Sequence, residues 1–301
     1  MRCVAPMRLD THWASCGRCL HCRIRRRTLW TLRMMHHQQY VDHSAFITLT
    51  YEDSNLMMRN GVSNLVRSDV QKYFKRLRIN EQRANRRTEV QYYLCGEYGD
   101  RTSRPHYHFI LFGNLDVWSY PTEIRGERVF AVAGNPVFDA WELGVVNIAN
   151  AEADSMRYVA QYIDKKLFGV ASAFSHREAP FQLASQRLGI SWLNDNLEKV
   201  MYEASVSFRG NKYPIPRAYM QRIKAVFPEA ADGVTDRVVS ASIMADMDLI
   251  LEIAPEYGGR SWEQLNHTER SKVASLIHDR SKVLSEATAS EIKFKIRMNK
   301  L

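Results

Sequence analysis

The chain has 301 residues, of which 45% are hydrophobic and 25% are charged, and its formal net charge is +9 at pH 7. This composition fits an ordinary globular protein that is long enough to bury one large core, or one core and a smaller one. No apolar stretch approaches the roughly 20 residues that cross a bilayer, and the N-terminus lacks a signal-peptide core. These features exclude a membrane partner, and we expect a protein that stays in the cytoplasm where it is made.

The positive charge is concentrated in two stretches. Residues 1–40 hold eight Lys or Arg against one acid, and residues 67–87 hold eight against two acids. Such stretches are typical of proteins that bind a polyanion. A well-solvated basic surface would have the same composition, so charge alone does not decide between the two interpretations.

The first half of the chain predicts a mixture of helices and strands. A basic helix is expected over Arg23–Gln39, a strand over Ala45–Tyr51, and a helix from Ser68, as its cap, to about Arg78. Two further strands, Glu89–Glu97 and His106–Phe112, flank a turn-rich segment. That order predicts an antiparallel hairpin.

The second half is harder to interpret. A strand near Gly144–Ile148 is followed by a helix over Asp154–Leu167, with Asp154 as its cap. Arg209–Pro214 has the composition of a turn. Further helices are expected over four ranges: Trp192–Ser207, Pro216–Phe227, Asp236–Ile253 and Trp262–Arg297.

Two histidines, His106 and His108, lie two residues apart in the second strand of the hairpin. Side chains at positions i and i+2 share one face of a strand, so both imidazoles can reach one cation. Glu97 ends the preceding strand and is the carboxylate we expect as the third ligand. Two imidazoles and one carboxylate leave coordination positions open for phosphate and water. Taken separately, a surface acid and a strand with two polar positions explain the same residues.

Two tyrosines, Tyr158 and Tyr162, lie four residues apart in a predicted helix, where they can face one substrate together. A tyrosine hydroxyl has a pKa of about 10, so it needs activation before it can attack a phosphate. Lys165 and Lys166 follow within one turn and could favour the phenolate or bind phosphate oxygens. Without these lysines, aromatic residues at this spacing are more often part of a core.

Three of the five cysteines follow a C-x2-C-x2-C spacing: Cys16, Cys19 and Cys22. In the cytosol, thiols or metal ligands are expected rather than disulfides. Cys3 could supply a fourth thiolate for a structural zinc ion, with His12 or His21 as substitutes. An iron–sulfur cluster uses a similar spacing, and three reduced thiols at a helix start are the third interpretation. Cys95, in a strand, is expected to be a core residue.

Three motifs in a fixed order resemble those of the HUH (His-hydrophobic-His) endonucleases, the superfamily of rolling-circle replication initiators and relaxases. They are Phe46–Tyr51, His106-Tyr107-His108 and Tyr158–Lys165. Within that superfamily, the chain is most similar to the replication initiators of microviruses, particularly of the gokushovirus type. The closer similarity depends on Cys16–Arg23, Gly96–Gly99 and Gly210–Arg217, and covers roughly residues 1–220.

The resemblance implies an α+β fold, with a central five-stranded antiparallel sheet, flanking helices and a helical C-terminal region. It implies three segments along the chain. Residues 1–40 would be a cysteine-rich basic segment packed on the nuclease domain, residues 41–220 the nickase domain, and residues 221–301 a helical region of unknown role.

The resemblance also implies an enzyme, the replication initiator of a small circular single-stranded DNA phage. His106, His108 and Glu97 would bind Mg²⁺ or Mn²⁺ at the scissile phosphate. One tyrosine would form a 5′-phosphotyrosine link and leave a 3′-hydroxyl that primes DNA synthesis. The second would cleave the regenerated origin, so that the released strand closes into a circle. A Tyr-x-x-Lys motif of single-tyrosine relatives aligns with Tyr162 and Lys165, so Tyr162 is expected to attack first.

The expected partners are single-stranded DNA carrying the phage origin and the host replication helicase and polymerase, in the host bacterial cytoplasm. The sequence has no Gly-x-x-x-x-Gly-Lys-[Ser/Thr] loop, which fits a protein that borrows the host's unwinding machinery. Aromatic side chains that could stack on bases lie near the motifs and the basic stretches. The candidates are Tyr51, Tyr73, Tyr92 and Tyr98.

Two alternatives remain open at this point. A relaxase or transposase of a plasmid or mobile element would share the nicking chemistry. A basic nucleic-acid-binding protein without catalysis would leave the ordered histidine and tyrosine pairs unexplained.

Overall fold

The computed structural model describes residues 7–8, 13–17, 19–99, 102–165, 177–208, 210–235 and 237–238, with residues 266, 268–269 and 272. The chain divides into two compact units, residues 27–195 and residues 1–26 with 196–301.

The centre of the unit formed by residues 27–195 is an antiparallel sheet of seven strands. In chain order they are β1 (His43–Tyr51), β2 (Val90–Tyr98), β3 (Pro105–Gly113), β4 (Thr122–Arg125), β5 (Arg128–Ala131), β6 (Gly144–Asn150) and β7 (Phe181–Ala184). Their order across the sheet is β7-β2-β3-β1-β6-β5-β4. The expected α+β class and the β2–β3 hairpin are confirmed, although the sheet has two more strands than the five expected.

Five helices belong wholly or mainly to this unit. They are α1 (Leu20–Gln38), α2 (Arg67–Arg83), α3 (Pro136–Asp139), α4 (Ala153–Lys165) and α5 (Ile190–Asp195). The helices α1, α2 and α4 were predicted from the sequence, and α3 was not. Among the described residues, no helix is long and apolar enough to cross a bilayer.

Both predicted helix caps are wrong. The helix α2 begins at Arg67, and its cap residue Val66 makes no side-chain hydrogen bond, so Ser68 lies inside the first turn. The helix α4 begins at Ala153, and the hydroxyl of Ser155 accepts a hydrogen bond from the Glu152 N–H at 2.7 Å. That bond satisfies one of the free N–H groups of the helix start, which leaves Asp154 no capping role.

Strand alternation separates the two faces of the sheet. On β1, Ile47 and Leu49 are fully buried in the larger core, against the apolar side of α2. Phe46 points to the other face and packs on a second core, which includes Met34 of α1 and Val159 of α4. The helices α2 and α4 therefore cover opposite faces of the sheet.

The helix α1 ends in two buried histidines. The His36 ring is stacked on Trp192 of α5, with ring centroids 3.5 Å apart, and the His37 ring meets Phe112 edge-on. Burial lowers the pKa of His36 to about 3, and burial together with the nearby Arg33 lowers that of His37 to about 4. Both rings are therefore neutral parts of the core at pH 7.

The other unit contains the first residues of α1 and short elements from the C-terminal part of the chain. The described helices are α6 (Leu197–Glu203), α7 (Arg217–Val226) and a helical stretch at 228–235. Two small hairpins pair Met7–Arg8 with Trp13–Ala14 and Val206–Phe208 with Asn211–Tyr213. A third short hairpin, Met58–Arg59 with Val62–Ser63, lies between β1 and α2 in the first unit.

The prediction of one helix over Trp192–Ser207 is wrong. The helix α5 ends at Asp195, and α6 ends at Ala204, whose left-handed φ of 49° stops the helix before a strand begins at Val206. The helix predicted over Pro216–Phe227 is confirmed as α7. The predicted helices Asp236–Ile253 and Trp262–Arg297 lie almost entirely outside the described residues.

Candidate active site

The strand register brings the three predicted metal ligands to one place on the sheet. Glu97 of β2 is paired with His106 of β3, and Cys95 of β2 is paired with His108. Because side chains alternate along a strand, Glu97, His106 and His108 all lie on the face that α4 covers. The predicted return of Glu97 beside the histidine strand is confirmed.

Each imidazole is held by a threonine of the neighbouring strand β1. The Thr48 hydroxyl is 2.9 Å from His108 Nδ1, and the Thr50 hydroxyl is 3.0 Å from His106 Nδ1. These bonds use the Nδ1 atom of each ring, so Nε2 is the atom left to act as a ligand. A second hydrogen bond of this kind fixes the orientation of a metal-binding histidine.

Glu97 and His108 are in direct contact. The Nε2 atom of His108 lies 3.0 Å from Glu97 Oε1, and the histidine and the glutamate are only 9% and 7% exposed, respectively. A carboxylate and an imidazole nitrogen are thus held side by side where little water reaches them. Both are donor types that divalent cations accept.

His106 is neutral at physiological pH. Burial lowers its pKa to about 4, and the nearby His108 and Arg104 act in the same direction. Arg104 is itself paired with Asp53 at 2.5 Å and donates to the carbonyl of Tyr51. A neutral imidazole has the free lone pair that a metal ligand needs.

The three donor atoms are not as close together as they would be around a bound ion. Among the described residues, the only group of three whose donor atoms all lie within 4.8 Å of one another is a cysteine group. The rings of His106 and His108 have centroids 6.0 Å apart. Gly99 leaves the His106 ring its room, because a Cβ at that position would lie 3.2 Å from Nε2.

Tyr158 packs against the histidine strand. Its ring meets His108 edge-on with centroids 5.6 Å apart, and it meets Phe46 edge-on at 6.0 Å. The side chain is still 36% exposed, so it borders the site rather than being enclosed in the core. The helix α4 therefore brings one of the two predicted tyrosines beside the candidate ligands.

The second tyrosine and the two lysines cannot be placed in the same detail. Tyr162 and Lys165 belong to α4, with Tyr162 one helical turn after Tyr158, but their side chains lie outside the described residues. Lys166 lies outside them entirely.

Sequence reasoning missed the supporting role of β1. Phe46, Thr48 and Thr50 alternate along that strand and line the face that bears the histidines. Phe46 is stacked on His108 with centroids 5.9 Å apart, and the two threonines bond the rings. The alternation was visible in the first motif, but only strand order places it beside β3.

The predicted cysteine group belongs to the other unit. The sulfur atoms of Cys16, Cys19 and Cys22 lie within 4.8 Å of one another, and none of these cysteines forms a disulfide. Cys3, His12 and the side chain of His21 lie outside the described residues. Cys95 is only 2% exposed in the sheet core, so its predicted core role is confirmed.

The tyrosines suggested for base stacking are largely committed to packing. Tyr51 and Tyr73 are buried, with exposures of 1% and 0%. Tyr92 is stacked flat on Phe74 at 3.7 Å. Half-buried Tyr98 carries the guanidinium of Arg177 over its ring at 4.5 Å, so that ring is also occupied. None of these rings is offered to a base in this structure.

The chain matches the model of the replication-associated protein ORF2 family over residues 44–167, a segment that contains the candidate glutamate, histidines, tyrosines and lysines. It is 31% identical over 224 residues to the replication-associated protein VP4 of Bdellovibrio phage phiMH2K, covering 71% of this chain and 68% of that protein. It is 24% identical to the replication-associated protein ORF4 of Chlamydia phage 1, covering 73% of this chain and 56% of that protein. No solved structure matches the chain. The shared identity with VP4 and the matched segment show that the chain belongs to the replication-associated protein ORF2 family, among its microvirus-type phage members.

Proposed function

We propose that the protein initiates replication of a small circular single-stranded DNA phage, by nicking and rejoining DNA at the phage origin. The relatives named above are replication-associated proteins of phages, which supports a role in phage replication. The observation that carries the proposed chemistry is the meeting of Glu97, His108 and Tyr158 on one sheet face, with His106 beside them.

The donor set fits a divalent cation. His106 is neutral, both histidines keep Nε2 as the ligand atom, and Glu97 supplies a carboxylate oxygen. Mg²⁺ or Mn²⁺ held by Glu97, His106 and His108 would polarise the phosphoryl oxygens and orient the phosphate, an effect worth several kcal/mol.

The proposed reaction is a transesterification. The oxygen of a tyrosine on α4 attacks the phosphorus, and the bond from phosphorus to the 3′-oxygen breaks. The tyrosine loses its proton and the leaving 3′-oxygen gains one, so no water is consumed. The products are a 5′-phosphotyrosine and a free 3′-hydroxyl, and rejoining is the same exchange in reverse. We assign the first attack to Tyr162 and the second to Tyr158, with Lys165 and Lys166 stabilising the phenolate or the phosphate.

Single-stranded origin DNA would be the substrate, and the host's replication helicase and polymerase would use the 3′-hydroxyl, in the host bacterial cytoplasm. Relaxases and transposases of the same superfamily would share the cleavage step. The phage relatives favour the replication role over these two. A non-catalytic DNA-binding protein would not need a tyrosine beside a histidine and a glutamate.

The test is covalent capture of the protein on labelled single-stranded DNA carrying candidate origins. The protein is incubated with Mn²⁺ and then separated on a denaturing gel, beside Tyr158→Phe and Tyr162→Phe. We expect a metal-dependent adduct that disappears in Tyr162→Phe. Loss only in Tyr158→Phe would reverse the order of the two tyrosines. Tight binding without any adduct, on every origin tried, would favour the non-catalytic alternative.

A further inference from the structure

We propose that Cys16, Cys19 and Cys22 bind one structural zinc ion at the start of α1. This inference is independent of the nicking chemistry, because the cysteines belong to the other compact unit and the proposed reaction uses none of them.

The spacing of the sulfur atoms fits a tetrahedral ion. The Sγ atoms of Cys16 and Cys22 are 3.9 Å apart, and all three lie within 4.8 Å of one another. Four thiolates at the usual zinc–sulfur distance of about 2.3 Å would be separated by about 3.8 Å. A disulfide would need about 2.05 Å, so the group has the dimensions of a metal site rather than of a crosslink.

The backbone around the cysteines favours negatively charged sulfur. The N–H of Cys19 donates to Cys16 Sγ at 3.3 Å. The helix α1 begins at Leu20, so Cys19 precedes its first residue and Cys22 lies in its first turn. The free N–H groups and the positive end of the dipole at a helix start stabilise anions.

Cationic side chains lie on the same helix turn. Arg23 follows Cys22 directly and is 2% exposed, and the Arg26 guanidinium reaches the carbonyl of Gly17 at 3.5 Å. A zinc ion with four thiolates carries a net charge of −2, since the ion brings +2 and each thiolate −1. The arginines of α1 would offset that charge.

The small hairpin suggests where the fourth ligand comes from. Met7 pairs with Ala14, so the chain that precedes Met7 runs towards the residues that follow Ala14, where Cys16 lies. Cys3 is four residues before Met7 and is our first candidate. His12 and His21 are the competing candidates.

The experiment measures the metal content of the purified full-length protein, made under reducing conditions, by elemental analysis and native mass spectrometry. We expect about one zinc per chain in the parent protein, falling to near zero in Cys16→Ser, Cys19→Ser and Cys22→Ser. Cys95→Ala is the matched control, because it removes a buried cysteine of the sheet core and should keep the zinc. Tyr162→Phe should also keep it, which separates this test from that of the nicking reaction.

Two results would overturn the proposal. One is iron with acid-labile sulfide in place of zinc, which would make the site an iron–sulfur cluster. The other is a metal-free parent protein that also fails to show thiolate-to-cobalt charge-transfer absorption when Co²⁺ is added. The cobalt measurement needs no variant, so it remains decisive if the cysteine variants fail to fold. Comparison of Cys3→Ser with His12→Ala and His21→Ala then identifies the fourth ligand.

Discussion

The two imidazoles of the candidate site are each held by a threonine hydroxyl rather than by a carboxylate. Thr48 bonds His108 and Thr50 bonds His106, both through Nδ1. A hydroxyl can donate to a ring nitrogen or accept from it, so it supports the neutral ring in either tautomer. The threonines should therefore position the ligands without adding charge to the site.

Thr48→Ala removes the hydroxyl that orients the His108 ring, and we expect it to weaken metal binding by about 10- to 100-fold, the usual cost of losing such a partner. The measurement is the Mn²⁺ concentration that gives half-maximal cleavage. Thr48→Ser keeps the hydroxyl and should restore most of the affinity. An unchanged metal requirement in Thr48→Ala, with an unchanged melting temperature, would contradict the positioning role.

Gly99→Ala tests the room around His106. A Cβ there would lie 3.2 Å from His106 Nε2, which is closer than ordinary contact, so the ring must shift by a few tenths of an ångström. We expect a higher Mn²⁺ requirement, smaller in effect than that of His106→Ala, and little change in stability. Gly233→Ala is the control, since its Cβ would meet Arg237 at an ordinary 3.7 Å. Equal Mn²⁺ requirements for the two alanine variants would argue against the steric role of Gly99.

Among the elements, the end of α1 carries a pH dependence of stability. The unfolded chain binds a proton at His36 near the ordinary pKa of 6.5, whereas burial holds the folded-state pKa at about 3. Between these values the unfolded state binds more protons, so stability falls as the pH drops through this window, by about 1.4 kcal/mol per pH unit for a fully developed shift.

His36→Phe keeps a flat ring against Trp192 but takes up no proton. We expect its free energy of unfolding, measured in denaturant from pH 7 to pH 4, to fall less steeply than that of the parent. His37 remains in the variant with its own lowered pKa, so some of the slope should persist. Parallel curves for the two proteins would show that His36 is not buried as a neutral ring.

The elements that place the site were readable from the sequence because each is long or strongly patterned. The alternation in β1, the hairpin with its turn-rich connection, and the tyrosine helix were all predicted. The missed strands β4, β5 and β7 have four residues each, too few to show a period. The two-residue turn between β4 and β5, with Gly126 at φ 62°, was the one usable signal for that hairpin.

The Thr–His hydrogen bonds could not be predicted in the same way. They depend on β1 lying next to β3 in the sheet, with Thr48 opposite His108 and Thr50 opposite His106. Sixty residues separate Thr48 from His108 in the chain. Local pattern carries no information on strand order, and sheet pairing at that distance is decided by how the whole core packs.

For the molecule as a whole, the sheet separates the strongest basic helix from the candidate site. The apolar side of α2 packs on the face opposite to the histidines, and its exposed lysines Lys72 and Lys75 point away from the sheet. The expectation that this basic stretch contacts the DNA being cleaved therefore loses its simplest geometry. A strand bound at the histidines would have to pass around the sheet to reach them.

The double variant Lys72→Glu with Lys75→Glu should leave binding of a short origin oligonucleotide nearly unchanged, along with its salt dependence. Each phosphate contact contributes about −0.7 to the slope of log affinity against log salt for single strands, so loss of two contacts would be visible. Fluorescence anisotropy over a range of salt concentrations measures both quantities. A slope reduced by more than one unit would place the DNA on α2.

The proposed nucleophiles and the proposed metal ligands are carried by different kinds of element. Glu97 and the histidines are fixed by strand register, whereas Tyr158 and Tyr162 belong to a helix, about 6 Å apart along its axis. A substitution on α4 leaves the pairing of β2 with β3 intact. In evolutionary terms, a lineage could therefore lose one tyrosine of the pair and keep the other without rebuilding the ligand set.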